Sequence, residues 1–461
     1  MRKRSPAGWC ALFAALPLAA AWAAAPEPGA DAPAPPKLVV YAGATVIDGT
    51  GAEPRPDQVV TVRGERIEAI LATRDYVTPR DAEIVDVRGL FVLPGLVNAH
   101  AHYATPPDRA FALSMLRRDL YGGITATRSM GDDARAVAEL ARATRVGEVP
   151  GPDIVYTALF AGPGFFHDPR VAASAAGETP GRVAWLREIT PATDLSEAVT
   201  LARGAGAGAI KIYGNLDAAA VARIVREAHR QGLEAWAHAA VFPASPRAVV
   251  DAGVDTVSHV CMLAYQAQAM PSQYHDRASV DESLFADGMP ASVDALFARM
   301  KEKGTVLDAT NYVYETIERM RKELPEGRGP PTYCSSALAA RLTAAAHAAG
   351  VAIAAGTDSF SPPDEPWPAL HRELQIFVEQ AGMTPLQAVR SATEIGARAL
   401  GREADMGTIA PGKLANLVFV AGDASRDIGA LRRVRLVVKR GERYRREHYV
   451  APTQAELGER R

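Results

Sequence analysis

The stretch VLPGLVNAHAHYAT (residues 92–105) carries two histidines, His100 and His102, one residue apart at the end of an apolar run. The whole chain contains only ten histidines. Residues i and i+2 of a β-strand point to the same side, so both imidazoles can face one cavity. Alone, the pair is weak evidence for a metal site, because polar residues also line many solvated strand ends. Residues elsewhere in the chain decide between these two interpretations.

Eight short apolar segments, most of them separated by helical patterns, run through the middle of the chain. This alternation predicts a (β/α)8 barrel, an α/β fold of the TIM-barrel class, rather than a doubly wound sheet. Active sites of such barrels lie at the carboxyl ends of the strands. The segments are GLVNAHAH (95–102), GITATRSM (123–130), DIVYTALFAG (153–162), AIKIYG (209–214), EAWAHA (234–239), DTVSHV (255–260), TVLDAT (305–310) and VAIAAGTDS (351–359).

Both ends of the chain show β patterns. Residues 38–92 and 405–447 consist of alternating or apolar runs broken by glycine, which predicts short strands and turns. We expect the two ends to form one small β-sandwich beside a barrel that spans residues 93–404. Residues 448–461 are then a polar tail.

The first 25 residues, MRKRSPAGWCALFAALPLAAAWAAA, begin with Arg2, Lys3 and Arg4 and continue as an apolar stretch that ends in alanines. This composition is typical of a secretory signal peptide, followed by a Pro/Ala-rich linker at residues 26–37. The alternative is an uncleaved membrane anchor. With cleavage, we expect export across the inner membrane to the periplasm or the cell exterior, without stable membrane association.

Charge and cysteine content narrow the classes of partner. A formal net charge of −2 and a pI near 6.6 give no basic footprint, which argues against nucleic acid as the main partner. We expect a small-molecule substrate, and the sequence leaves a homo-oligomer open. Beyond the predicted signal peptide only Cys261 and Cys334 remain, and they lack the spacing of a thiolate zinc site. We interpret both as small buried hydrophobic residues, and the sequence leaves their pairing open.

Six polar residues at the ends of five predicted barrel strands form a candidate metal site: His100, His102, Lys211, His238, His259 and Asp358. Each has an ordinary alternative, such as a core histidine, a lysine paired with a carboxylate, or a helix cap at Asp358. Their coincidence favours a metal site, and imidazole and carboxylate ligands suit zinc or a similar divalent ion. The ligands exceed the number that one ion needs. A carboxylated Lys211 would lose its costly buried charge and bridge two ions.

The pattern resembles the amidohydrolase superfamily, in the binuclear subtype with a carboxylated lysine on the fourth strand, and within it the imidazolonepropionase-like and prolidase-like branch. The resemblance covers about residues 38–445. It rests on the segments GLFVLPGLVNAHAH, AIKIYG, AHRQGLEAWAHA, AGVDTVSHV, AAGTDS, AGMTPLQAVRSATEIGARALG and DMGTIAPGKLANLVFV.

The resemblance implies two divalent ions, with zinc the expected metal, and one ligand set for each. His100, His102 and Asp358 would hold the more buried ion. His238 and His259 would hold the more exposed one, and N6-carboxylated Lys211 would bridge the two.

The same resemblance implies hydrolysis of an amide carbon–nitrogen bond, in a dipeptide, an N-acyl amino acid or a cyclic amide. A metal-bridging hydroxide would attack the carbonyl, with Asp358 as the proton shuttle to the departing amine. One alternative is a mononuclear deaminase, which usually carries a glutamate where this chain has Val241. The other is a catalytically silent binding protein, in which loss of ligands would be expected.

Five further residues are candidate substrate contacts: Tyr213, Arg128, His167, Arg170 and His371. They lie at strand ends or in the segments that follow. One such segment, FAGPGFFHDPR (160–170), is expected to form a lip over the site. The ordinary alternatives are packing for the tyrosine and a structural salt bridge for Arg128.

Overall fold

The computed structural model describes residues 36–175, 177–325 and 332–458. The predicted signal peptide (1–25) and residues 26–35 of the predicted linker lie outside these ranges. Residues from Lys37 onward form one compact unit. In the described part of the chain, no helix is both long and apolar enough to cross a membrane.

The two chain ends build one mostly antiparallel sheet of eight strands, as predicted. Its strands are β1 (Leu38–Val46), β2 (Arg55–Arg63), β3 (Arg66–Ala72), β4 (Glu83–Asp86), β5 (Phe91–Pro94), β16 (Leu417–Val420), β17 (Val434–Lys439) and β18 (Glu442–Arg445). Their order is β18-β17-β16-β5-β1-β2-β3, with β4 beside β1. The ends meet where β5 pairs with β16, Val92 opposite Phe419. Phe419 packs 5.1 Å from Tyr41, ring centroid to ring centroid, in the core of this module.

The middle of the chain forms the predicted barrel, with one parallel strand in each of the eight apolar segments. The barrel strands are β6 (Leu96–Ala101), β7 (Ile124–Ser129), β8 (Asp153–Ala161), β11 (Ala209–Ile212), β12 (Glu234–His238), β13 (Thr256–Ser258), β14 (Val306–Asp308) and β15 (Ile353–Ala354). Successive strands pair in parallel from β6 to β15. The last and first strands approach each other where the Ala99 amide donates to the Ala355 carbonyl at 2.8 Å. A small hairpin of β9 (Arg182–Val183) and β10 (Leu186–Glu188) adds to β8.

Amphipathic helices cover the barrel. The helix at Ala218–Arg230 shows the physical pattern, because Val221, Ile224, Val225 and Ala228 recur on one buried face and the Asp217 carboxylate caps its first turn. The helices are α1 (Arg109–Tyr121), α2 (Ala134–Arg145), α3 (Pro169–Ala175), α4 (Leu195–Gly204), α5 (Ala218–Arg230), α6 (Pro246–Asp251), α7 (Ala291–Lys303), α8 (Asn311–Glu323), α9 (Ser336–Ala348), α10 (Leu370–Glu379), α11 (Pro385–Ser391), α12 (Glu394–Ala399) and α13 (Gln454–Leu457).

Part of the predicted polar tail is ordered against the barrel. Helix α13 lies beside α1, where the Glu456 carboxylate pairs with Arg117 at 3.0 Å. Leu457 is buried in the same cluster as the apolar face of α1. The last turn of the described chain therefore contributes to packing.

The two remaining cysteines are buried, as predicted, but they are more than small hydrophobic residues. Cys261 and Cys334 form a disulfide across 73 residues of sequence, a pairing that the sequence left open. It ties the segment after β13 to the segment before α9. The barrel brings these segments together, and nothing local in the sequence reports that proximity.

Candidate metal centre

A cavity of about 630 Å³ opens at the carboxyl ends of the barrel strands. All six residues predicted as metal ligands line it: His100, His102, Lys211, His238, His259 and Asp358. The barrel thus brings side chains from five strand ends into one cavity, although these residues are spread over more than 250 residues of sequence.

The Asp358 carboxylate lies at the centre of the histidines. One oxygen, Oδ1, is 3.4 Å from His100 Nε2 and 3.2 Å from His102 Nε2. The other, Oδ2, is 3.8 Å from His259 Nδ1. One ligand atom from each of His100, His259 and Asp358 lies within 4.8 Å of the others, which makes this trio a candidate metal-binding group.

The backbone at these strand ends takes unusual conformations. His259 and Asp358 have φ angles of 74° and 47°, in the left-handed region that side chains with a Cβ rarely adopt. Gly356 precedes Asp358 by two residues, and a Cβ there would lie 2.1 Å from Asp308 Oδ1 and 2.8 Å from His100 Cβ. The glycine therefore lets the end of β15 approach β6 closely enough to place the Asp358 carboxylate beside His100.

The electrostatics of this group favour a cation. Burial opposes ionisation of Asp358, but the surrounding histidines hold the pKa of its carboxyl well below the ordinary value. Burial likewise opposes protonation of His102, yet Asp132 and Asp358 raise the pKa of His102 to about 10. The lowered pKa of Asp358 and the raised pKa of His102 have one cause. The buried carboxylates are stabilised by a positive charge beside them, which can be a proton on histidine or a metal ion.

Lys211 lies on β11 with its side chain fully buried. Its Nζ donates to Ser258 Oγ at 3.0 Å. Burial and the neighbouring Arg128 lower the pKa of Lys211 to about 7. The amine is therefore largely neutral just above neutral pH, the form that can react with carbon dioxide, so the site fits an N6-carboxylated lysine.

His238, like Lys211, shows whether the residues of the cavity fit a metal ion. Both of its ring nitrogens are buried and have no hydrogen-bond partner among the described residues. Burial and the charge of Lys211 hold its pKa well below the ordinary value, so the ring is neutral with a free lone pair. Its ring centroid is 4.9 Å from that of His259. An unpartnered buried imidazole is costly unless something ligates it, and the pair fits a divalent ion.

The model of the amidohydrolase family matches residues 91–444, about three quarters of the chain. This chain belongs to the amidohydrolase family. Membership of this family supports the predicted hydrolase activity on a carbon–nitrogen bond, and the family generally uses divalent metals.

Relatives of this amidohydrolase agree with the predicted branch. An imidazolonepropionase of Klebsiella pneumoniae subsp. pneumoniae is 29% identical over 177 residues, which is 38% of this chain and 37% of that protein. A crystal structure of a Xaa-Pro dipeptidase with bound methionine in its active site matches with a TM-score of 0.69 and 23% identity, covering 89% of this chain and all of the other. The ochratoxinase of A. niger matches with a TM-score of 0.67 and 21% identity, covering 92% and 98%. The two structural matches support the fold of the amidohydrolase.

Arg128, predicted as a substrate contact, is not on the cavity wall. Its side chain is fully buried, and Nη2 donates to Asp308 Oδ2 at 2.9 Å. The guanidinium also stacks 4.3 Å from the ring centroid of Trp236. The salt-bridge alternative holds for this residue, because β7 turns its side chain into the barrel core towards Asp308.

Two other predicted substrate contacts also lie away from the cavity. His371 is buried on α10, where Nε2 contacts the Gly122 carbonyl at 2.8 Å. His167 is exposed on the lip after β8, and its side chain is not part of the cavity lining. Tyr213 and Arg170 do line the cavity, as does Phe165 from the same lip.

Asp308 and Asp132 are site residues that the sequence analysis missed. Asp308 is fully buried at the end of β14, and its Oδ2 accepts from His100 Nδ1 at 2.7 Å. Asp132 is buried 3.5 Å from His102 Nδ1. A signal existed for Asp308, because TVLDAT is the seventh strand segment and contains an acid near its end. Each carboxylate sits on the far side of its imidazole and turns Nε2 towards Asp358.

Three further cavity residues, Tyr274, Arg277 and Tyr333, were also missed. Tyr274 begins a short 3-10 helix (Tyr274–Asp276) in the segment after β13, Arg277 follows this helix, and Tyr333 lies in the segment before α9. The ring of Tyr274 lies 5.7 Å from that of His238, so this wall adjoins the ligands. No periodicity marks such segments, and no sequence signal pointed to them.

Proposed function

We propose that the protein is a binuclear metal-dependent hydrolase that cleaves an amide carbon–nitrogen bond in a small substrate. The single observation that carries the proposal is Lys211. It is a fully buried lysine of lowered pKa in the same cavity as the Asp358 group and as His238, whose buried ring nitrogens have no hydrogen-bond partner among the described residues.

The proposed ligand sets follow the two sides of the cavity. His100, His102 and Asp358 would hold one zinc-like ion, and His238 and His259 the other, with carboxylated Lys211 between them. When bound, two such ions lower the pKa of water and polarise a substrate carbonyl.

Asp358 is the proposed proton carrier. Its side chain is 24% exposed to the cavity, and the depressed pKa keeps its carboxylate ionised at neutral pH. Oδ2 would take the proton from the attacking water. Because the low pKa makes this proton easy to release, Oδ2 would pass it to the departing amine.

Tyr213 is the proposed donor to the substrate carbonyl. Burial raises the pKa of its phenol, so the hydroxyl stays protonated and can donate a hydrogen bond. Its ring packs 3.8 Å from that of His238, which holds the hydroxyl at the cavity. The proposed substrates are dipeptides, N-acyl amino acids or cyclic amides.

A metal analysis combined with a substrate screen tests the proposal. Purified protein should carry about two zinc-like ions per chain and release amine from members of a dipeptide and N-acyl amino acid panel. Lys211→Ala should lose metal and activity, while His448→Ala, at an exposed histidine, should lose neither. Protein that binds no metal stoichiometrically, or hydrolyses nothing in the panel when fully loaded, would refute the assignment.

We further propose that the protein is exported and acts in the periplasm or outside the cell after cleavage near residue 25. The Cys261–Cys334 disulfide supports this, because structural disulfides persist in oxidising compartments. Amino-terminal sequencing of protein from fractionated cells tests it. An intact start at Met1 in the cytoplasmic fraction would contradict export.

A further inference from the structure

Beside the predicted ligands, one wall of the cavity combines an arginine with tyrosines. The guanidinium carbon of Arg277 lies 3.6 Å from the ring centroid of Tyr274 and 4.4 Å from that of Tyr333. The two phenol oxygens are 3.1 Å apart. We call these three residues the Arg277 wall.

Arg277 has donors to spare. Nη1 donates to the Tyr274 carbonyl and Nη2 to the Tyr333 hydroxyl, while Nε is buried with no partner in the described chain. A guanidinium carries five N–H donors, so several remain unused. Among the described residues no carboxylate forms an ion pair with Arg277. The other cavity arginine differs, because Arg170 is held by Asp168 at 2.7 Å.

The carboxylates that line the cavity are committed elsewhere. Asp168 binds Arg170 through two hydrogen bonds, and Asp358 faces the histidines. The phenols near Arg277 are neutral donors, because burial raises the pKa of both Tyr274 and Tyr333 well above the ordinary value. The wall therefore presents a cation and hydroxyls without an internal counter-charge.

The wall lies within reach of a group held at the metal centre. The Tyr274 ring lies between Arg277 and His238, and its centroid is 5.7 Å from the centroid of the His238 ring. An extended amino-acid unit spans about 3.5 Å, and a charge-assisted hydrogen bond adds about 2.8 Å. A substrate whose amide carbonyl lies beside His238 can thus place an acid one residue away against the guanidinium.

We propose that Arg277 binds a carboxylate of the substrate, with Tyr333 supporting its guanidinium. The inference rests on the proposed function and narrows its substrate class. The substrate is an acylated amino acid or dipeptide with a free carboxylate, and neutral amides or cyclic amides that lack an acid are poor substrates. A carboxylate fits because its two oxygens match the parallel donors of a guanidinium.

Matched acids and amides test the proposal in the metal-loaded protein. N-acyl amino acids and dipeptides are compared with the same compounds as carboxy-terminal amides, in kcat/KM for hydrolysis of the shared bond. Arg277→Gln should lower kcat/KM for the acids about 10²- to 10³-fold and leave the amides within a few-fold. Arg277→Lys should restore part of the preference, because it keeps the charge. Arg426→Gln, at an 88% exposed arginine, is the control and should change neither.

A binding measurement separates this inference from the proposed hydrolysis. N-Benzylglycine and N-benzylglycinamide have a methylene in place of the scissile carbonyl, so the bond that the enzyme would cleave is absent from both. Calorimetric titration should show tighter binding of the acid, lost in Arg277→Gln and retained in Arg426→Gln. Arg277-dependent binding without turnover of any substrate would refute the hydrolase and leave the carboxylate site standing. Equal binding and equal rates for acid and amide, or equal losses on both in Arg277→Gln, would overturn the carboxylate site.

Discussion

Replacing Asp308 by asparagine tests how the metal centre is held in place. The buried Asp308 carboxylate accepts from His100 Nδ1 at 2.7 Å and from Arg128 Nη2 at 2.9 Å. Burial opposes its ionisation, but His100 and Arg128 bring its pKa to about 2. The asparagine would keep the shape of the side chain and remove its charge.

Two costs follow from the geometry. The ion pair with Arg128 has both side chains 0% exposed. Breaking such a pair from one side costs about 3–5 kcal/mol, because a buried charge stays unpaired. A carboxylate that orients a ligating histidine typically contributes about 10- to 100-fold in metal affinity. We expect metal-free Asp308→Asn protein to lose about 3–5 kcal/mol of unfolding free energy. We expect the folded variant to bind zinc about 10- to 100-fold more weakly than the wild type.

Chemical denaturation of metal-free protein and zinc competition with a chromogenic chelator measure the two losses separately. Asp75→Asn, at a 61% exposed carboxylate, is the matched control and should change neither quantity. Adding Arg128→Met to Asp308→Asn should recover part of the stability, since the unpaired guanidinium is then gone. An Asp308→Asn protein with wild-type midpoint and wild-type zinc affinity would refute the reasoning.

Three further changes probe the disulfide, the buried lysine and the close approach of strand eight. Cys334→Ser removes the disulfide to Cys261, which closes a loop of 73 residues. The loop-closure relation predicts a loss of about 4 kcal/mol in the free energy of unfolding. Chemical denaturation under non-reducing conditions measures this loss. Lys211 has a pKa of about 7 in the fold against 10.5 when unfolded, so the unfolded state binds more protons between these values. The stability of metal-free protein should therefore rise with pH across this window, by at most about 1.4 kcal/mol per pH unit, and Lys211→Met should abolish that share of the slope. Gly356→Ala places a Cβ 2.1 Å from Asp308 Oδ1, so it should lower zinc affinity in the chelator assay; unchanged affinity would show that the strand can move aside.

The barrel and the position of the candidate ligands in one cavity could be predicted because each leaves a local signal. A parallel strand buried on both faces is a short apolar run, and eight such runs alternate with helical patterns. Within those runs a polar residue at the carboxyl end is conspicuous. Lys211, His238 and His259 were identified in this way, and the structure places them in one cavity.

The remaining features depend on contacts that no local pattern encodes. The Cys261–Cys334 pair forms only once the segment after β13 and the segment before α9 are adjacent. Arg277 and Tyr333 meet in irregular segments whose conformation is set by tertiary packing. For Arg128 the sequence left a substrate contact and a structural salt bridge open, because a charged residue at a strand end looks the same whether it points to the cavity or to a buried acid.

The two histidines of strand one are held by different means. Asp308 lies deep in the barrel, so its charge needs the counter-charge of Arg128 before it can orient His100. Asp132 is also buried, but it accepts from two hydroxyls and a backbone amide, and the positive charge beside it is that of His102 itself. Both arrangements leave the Nε2 atoms within 3.4 Å of one carboxylate oxygen. The positions of these two candidate ligands are thus set by the protein itself, which would reduce the reorganisation that binding of an ion requires.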